Sequence, residues 1–324
     1  MTLLIVGMTF VGGIIAWGNS QMKAPGAFTE DAVFEVKAGD RLAAVSDRLE
    51  AAGLIKDARI FRLAARYSGD DQKLKFGEYK VPAQASMQDV LDLVTSGRAL
   101  AYQVTIPEGL TSWQIVELLK AEPLLSGDVK EVPPEGSLAP NTYSFSRGDG
   151  REAVLMRMTL AQHKIITEAW ALRADNLPLN SPDEALTLAS IVEKETGVVS
   201  ERALVASVFI NRLNRGMRLQ TDPTVIYGVT KGKGVLGRGL RQSELRTKTE
   251  WNTYVIDGLP VTPIANPGKA SIEAALNPAQ TNFVFFVADG TGGHAFAETI
   301  GEHNKNVRDW RKIEAAKRAA EPEN

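Results

Sequence analysis

The chain contains no cysteine, which excludes disulfides and thiolate metal sites. It has only three histidines, His163, His294 and His303, far apart and outside any HExxH arrangement. No zinc-hydrolase motif is therefore available, and no metal or cofactor is expected. An excess of charge of either sign is also missing, with 37 Lys and Arg against 39 Asp and Glu. Phosphate binding wants a basic surface, so nucleic acid is not an expected partner. The glycines of "KGKGVLGRG", residues 231–239, lack a Walker lysine-serine ending and read as a flexible basic loop.

Charge is absent altogether from the first 22 residues, the first charged residue being Lys23. Within them "LLIVGMTFVGGIIAW", residues 3–17, is apolar apart from Thr9. A spanning helix needs ~20 such residues, so the run is short but admissible, and Trp17 suits a membrane interface. A cleaved signal peptide is the rival reading, against which stand the missing basic start and the poor cleavage site in "KAPGAF". A buried core helix is the third. The expectation is a membrane anchor over 1–18 and a linker over 19–31, with the remainder outside the cytoplasm on a single-pass inner-membrane protein.

Beyond the linker the chain repeats itself. "VFEVKAGDRLAAVSDRL", "EYKVPAQASMQDVLDLV" and "YQVTIPEGLTSWQIVELL" share one frame. An aliphatic residue (Val36, Val81, Ile106) ends a short strand, and three residues later comes a turn position (Gly39, Gln84, Gly109). Beyond the turn, Val45 and Leu49, Val90 and Val94, Ile115 and Leu119 keep a four-residue spacing. That spacing reads as strand, turn, amphipathic helix, with Asp40, Ser86 and Thr111 as helix caps. "DARIFRLAARYS", residues 57–68, predicts another helix.

From about residue 121 the chain becomes rich in Pro and Gly and reads as a loop up to 150. Helices are expected over 151–174, 183–196, 201–215 and 300–318, with Gly197 as a stop, and Ser200 and Asp222 as caps. "NFVFFVADGTGGHAFAE" reads as a β-hairpin. The expected fold class is α+β: an N-terminal transmembrane helix, a small α/β module over 32–103, a larger mixed helical domain with a hairpin over 104–318, and a tail over 319–324.

The helix "ALTLASIVEKETG" ends with two carboxylates, Glu193 and Glu195. They point roughly 200° apart on an ideal helix, so they are not a dyad. Glu195 follows Leu188, Ile191 and Val192 on the most apolar stripe. A carboxylate held there is poorly solvated and its pKa rises, which suits a general acid. Periodicity alone leaves the solvated helix end open as an alternative. Taken singly, Asn211 and Arg212 also read as surface, Asp222 as a cap, and Tyr227, Trp251 and Tyr254 as core.

Two resemblances add to this. "FEVKAGDRLAAV", closed by "LKFGEYKVP", resembles a LysM peptidoglycan-binding module with a longer middle, which implies either glycan contact or a bare scaffold. "ASIVEKETGVVSERALVASVFINRLNRGMRLQTDPTVIYG" resembles the YceG-like family of endolytic murein transglycosylases. So do "NTY" at 252–254, "GLPVTPIANPGKASIEAALNP" and "FVADGTGGHAF" followed by "HNKNV". "LAPNTYSF" departs from the family pattern, carrying Asn141 at an expected acidic position.

The resemblance implies that Glu195 is the catalytic acid. It would protonate the glycosidic oxygen between N-acetylmuramic acid and N-acetylglucosamine within a strand. The muramic 6-hydroxyl would then attack the anomeric carbon, with the Glu195 carboxylate taking its proton, to leave a 1,6-anhydro end. It further implies termination of nascent strands, the membrane and peptidoglycan synthases as partners, and a periplasmic catalytic domain. Gln220, Thr221, Asp222, Asn211 and Asn252 are expected to bind sugar through hydrogen bonds, and Tyr227 or Tyr254 to pack on a pyranose face. His294 is read either as lining the cleft or as a turn histidine. Glu193 either orients and stabilises substrate or is merely solvated. A non-catalytic peptidoglycan-binding scaffold and a hydrolytic muramidase are the alternatives.

Overall fold

The structure is a computed structural model. It describes the backbone of residues 2–320 and the side chains of residues 8–10 and 12–317. The chain forms two compact units, one made of Met1–Val104, Pro123–Gly127 and Ser144–Gly150, the other of Thr105–Glu122, Asp128–Tyr143 and Arg151–Asn324.

The first unit begins with α1 (Thr2–Lys23). Strands β1 (Ala32–Val36) and β2 (Gly77–Val81) pair antiparallel, from Ala32 opposite Val81 to Val36 opposite Gly77. Between them lie α2 (Leu42–Ala51) and α3 (Ala58–Ser68), and α4 (Met87–Ser96) follows β2. Val45, Leu49, Phe61, Tyr79, Val90 and Val94 are buried in one core that Met22 of α1 joins. Tyr79 keeps its hydroxyl satisfied there by donating to the Lys75 carbonyl at 2.8 Å, as a buried phenol must.

The chain moves between the units at β3 (Tyr102–Thr105) and β4 (Thr142–Phe145), which pair with each other. In the second unit, α5 (Ser112–Ala121) and α6 (Arg151–Ala171) precede α7 (Pro182–Glu195). A single 3₁₀ turn over Val199–Glu201 leads into α8 (Arg202–Asn214). Then come α9 (Asp222–Thr230), α10 (Gln242–Arg246) and α11 (Lys269–Leu276). The hairpin β5 (Phe285–Ala288) and β6 (His294–Ala297) pairs Phe285 with Ala297, and α12 (Ile300–Ala320) follows it. Every residue of α7 from Ala185 to Val192 is buried. The helix is therefore the axis of the core, with Val205 and Phe209 of α8 and Ile272 and Leu276 of α11 around it. Apolar residues on all faces are what a fully enclosed helix requires.

The repeat frame holds at its turns and helices, although β3 stops at Thr105, one residue before Ile106. Gly39, Gln84 and Gly109 all adopt left-handed backbone, at φ 83°, 60° and 76°. Gln84 does so without the freedom of glycine. The six spaced aliphatic residues of the three helices are all fully buried. Ser86 and Thr111 form capping boxes with Asp89 and Gln114.

Three expectations need correction. Asp40 does not cap α2, which begins after Arg41; it accepts from the Lys37 amide and pairs with Arg48. Ser200 lies inside the 3₁₀ turn and does not cap α8. The stretch expected as loop to residue 150 contains β4. The expected membrane anchor gains no support, since no helix of the described residues is long and apolar enough to cross a membrane. The anchor expected over 1–18 falls partly on side chains outside the described residues, as does most of the tail at 319–324. The LysM-like reading of 32–103 gains no support beyond its spacing.

Candidate active site

Ser181 starts α7 by accepting from the Glu184 amide, with Pro182 in the first turn. The helix ends at Glu195, where Thr196 turns extended. Glu195 thus leaves the core at a helix C-terminus, whose partial negative charge disfavours a carboxylate. Burial pushes its pKa upward, the Asp222 charge adds to that rise, and a hydrogen bond from Thr221 and the charge of His294 oppose it. The Thr221 hydroxyl donates to Glu195 Oε1.

The backbone fixes that hydroxyl. Gln220 sits in the left-handed region at φ 50°, a conformation non-glycine residues adopt at a cost. Its amide donates to the Thr253 carbonyl at 3.2 Å. The Thr221 amide donates to Thr253 Oγ1 at 3.1 Å, and the Thr221 carbonyl accepts from Thr224 Oγ1 at 2.7 Å. With its main chain held on both sides, Thr221 is the N-cap residue of α9 yet makes no side-chain cap. Its hydroxyl is committed to Glu195 instead. Asp222, expected as the cap, is the first helical residue and accepts from the Tyr254 hydroxyl at 2.6 Å. Burial and that carboxylate push the Tyr254 phenol well above its ordinary range.

Glu195 opens on a cleft of about 450 Å³ lined also by Arg212, Gln220, Thr221, Asp222, Tyr254 and His303, with Phe209, Phe285 and Phe286 as apolar wall. Of the residues chosen from sequence, the cleft brings together Glu195, Gln220, Thr221, Asp222 and Tyr254. The others are elsewhere. Glu193 is neither solvated nor in the cleft: its carboxylate accepts from the Gly268 amide at 3.0 Å and Ser271 Oγ at 2.7 Å, and pairs with Arg202 at 3.7 Å. Asn252 is buried and gives its amide to the carbonyls of Glu244, Leu245 and Thr247. Asn211 donates to the carbonyls of Thr281 and Phe283. Tyr227 donates to Glu135 at 3.1 Å and packs against Trp251. In each case the polar atoms join segments of the fold and are not free for a ligand.

His294 does not line the cleft. Its Nδ1 lies 2.8 Å from Glu201 Oε2 and its amide donates to Glu201 Oε1 at 2.9 Å. It is not a solvated turn residue, since Glu201 holds both its ring nitrogen and its amide. Asn141 is exposed, accepts from the adjacent Thr142 amide and is not among the residues lining the cleft. Sequence reasoning missed His303 and Phe285, which stack at 5.0 Å between centroids, and read Arg212 as surface although it is buried. The signal was present for Arg212, which falls between the apolar positions Phe209, Ile210 and Leu213 of α8.

A carboxyl whose pKa is raised by burial, beside an open cleft lined by polar groups, is an arrangement suited to acid–base chemistry. Residues 34–309 match the YceG-like family, and the chain belongs to that family. It is 28% identical to the endolytic murein transglycosylase of Bacillus subtilis over 91% of this chain and 89% of that protein. It is 30% identical to the endolytic murein transglycosylase of Streptococcus pneumoniae D39 over 83% of this chain, which spans 56% of that longer protein. Among solved structures, the 2.6 Å crystal structure of a yceG-like protein from Listeria monocytogenes is similar at TM-score 0.52 and 31% identity. That match covers 86% of this chain and 99% of the other.

Proposed function

We propose that this chain is an endolytic murein transglycosylase in which Glu195 serves as acid and then as base. The observation that carries the reading is the Glu195 carboxyl: raised in pKa by burial, yet open to a polar cleft. Protonated Glu195 gives its proton to the oxygen joining muramic acid to the next glucosamine. As that bond breaks, the muramic 6-hydroxyl attacks the anomeric carbon and its proton passes to the Glu195 carboxylate. The acid is thereby regenerated, the strand ends in a 1,6-anhydro sugar, and no water is consumed. One carboxyl suffices because the nucleophile belongs to the substrate and arrives at high effective molarity.

Thr221 favours the ionised form needed in the second half, through its hydrogen bond to Oε1. Gln220, Asp222 and Tyr254 are proposed to bind sugar hydroxyls and a ring face, since they line the same cleft. Asp222 also supports a second reading. A muramidase would use a second carboxyl about 5–9 Å from the acid, and Asp222 is near enough for its charge to act on Glu195. Its commitment to Tyr254 argues for the first reading. Mass spectrometry of digested murein separates the two: anhydro ends for a transglycosylase, reducing ends for a hydrolase.

Membrane attachment and the ending of nascent strands belong to the same proposal. Met8, Phe10, Ile14, Ile15 and Trp17 of α1 are all exposed, and apolar side chains bared along one helix favour a lipid environment. Fractionation of cells expressing the full chain and a version starting after Lys23 tests it; recovery of both in the soluble fraction would remove this part.

A further inference from the structure

Arg212 is the one buried cation of the cleft wall, and its hydrogen bonds are unevenly spent. Nε donates to the Val284 carbonyl at 2.7 Å. Nη1 donates to the carbonyls of Arg218 and Leu219, both at 3.0 Å, and reaches Gln220 Oε1 at 3.3 Å. Among the described residues Nη2 finds no acceptor and no carboxylate pairs with the group. Burial lowers the Arg212 pKa, but a guanidinium stays charged at neutral pH regardless. A buried charge facing only neutral carbonyls is costly without a counter-ion. Neither carboxyl that shares the cleft forms an ion pair with it; they accept hydrogen bonds from Thr221 and Tyr254.

His303 stands next to it. The ring stacks on Phe285, whose face lies 5.3 Å from the Arg212 guanidinium. His303 Nδ1 is buried and has no hydrogen-bond partner. Burial and the Arg212 charge lower its pKa. An unsatisfied buried nitrogen such as His303 Nδ1 costs about 1–3 kcal/mol, and Arg212 Nη2, which is not itself buried, is left without an acceptor near the same phenyl ring.

We infer that Arg212 and His303 form an anion-holding subsite of the Glu195 cleft, which takes a carboxylate carried by the muramic sugar. The inference rests on the murein reading of the cleft. Two sources offer that chemistry: the lactyl carboxyl of a stripped glycan, and a carboxylate of an attached stem peptide. Burial disfavours the charged form of Glu195, which lessens its repulsion of such an anion.

The test is titration of the full chain carrying Glu195→Gln, which prevents turnover, with three probes. These are N-acetylglucosaminyl-N-acetylmuramic acid, the same disaccharide bearing its stem peptide through a lactyl amide, and chitobiose, which has no carboxylate. At least one acidic probe should bind tenfold or more tightly than chitobiose and shift the Arg212 guanidinium resonance, and which probe does so names the source. His303→Phe keeps the stack on Phe285, removes the ring nitrogens and should cut that preference severalfold. A preference under threefold for both acidic probes, or an Arg212 resonance that stays in place at saturation, overturns the subsite. Wild-type cleavage of murein to anhydro ends is read separately, so loss of the subsite and loss of the murein reading are distinguishable.

Discussion

Replacing Thr221 by valine removes one hydroxyl and little volume. In the native protein that hydroxyl donates to Glu195 Oε1 and favours the ionised carboxyl, against the burial and the Asp222 charge that raise its pKa. A hydrogen bond to a charged group contributes about 1.5–3 kcal/mol, so its loss should move the acid–carboxylate balance toward the acid by roughly tenfold to a hundredfold. Relaxation of the neighbouring groups brings the expected effect to the lower end. The chemistry sets the sign: the first step needs the proton on Glu195, so kcat/KM falls as pH rises through that pKa. Thr221→Val should therefore carry the alkaline limb to higher pH. At low pH kcat should drop, because the same side chain must become a carboxylate in the second half. The assay is the pH profile of anhydro-ended product release from purified murein. An unmoved alkaline limb, or one displaced to lower pH, would show that Thr221 does not tune the acid.

Other substitutions separate the site from its scaffold. Glu193→Ala should lower stability by about 2–3 kcal/mol in urea unfolding, because it leaves the Gly268 amide and the Ser271 hydroxyl without their buried acceptor, while Arg202 keeps Glu108 at 3.2 Å; activity per folded molecule should change little. Asn252→Ala should cost about 2–3 kcal/mol by the same measurement, since three carbonyls lose one shared amide. Gln84→Gly should raise the unfolding free energy by about 0.5–1 kcal/mol, relieving a left-handed side-chain-bearing residue, and leave cleavage untouched.

Periodicity made much of the fold legible. Four-residue spacings located the three repeat helices, because an aliphatic pair at that interval has one way to reach a core. The apolar stripe under Glu195 was legible for the same reason, Leu188 and Ile191 being fully buried, whereas the assignment of Glu195 as the acid came from the resemblance. Glu193 was not, since its partners Gly268 and Ser271 lie at the start of α11, far along the chain. Polar residues such as Asn211, Asn252 and Tyr227 look alike in sequence whether they hold carbonyls or sugars. His303 belongs to a charged helix whose composition predicts a solvated face, and only the approach of Phe285 from the hairpin gives it a buried nitrogen. Asp222 before Pro223 carried a correct helix start and a wrong role, because Thr221 takes the cap position while its hydroxyl serves Glu195.

The most direct measurement compares the full chain with its Glu195→Gln form on purified murein, with the released ends identified by mass. A buried acid that acts twice on a substrate-borne nucleophile should give 1,6-anhydro ends with the native protein and none above background with the variant. Reducing ends, or anhydro ends made as fast by the variant, would contradict it.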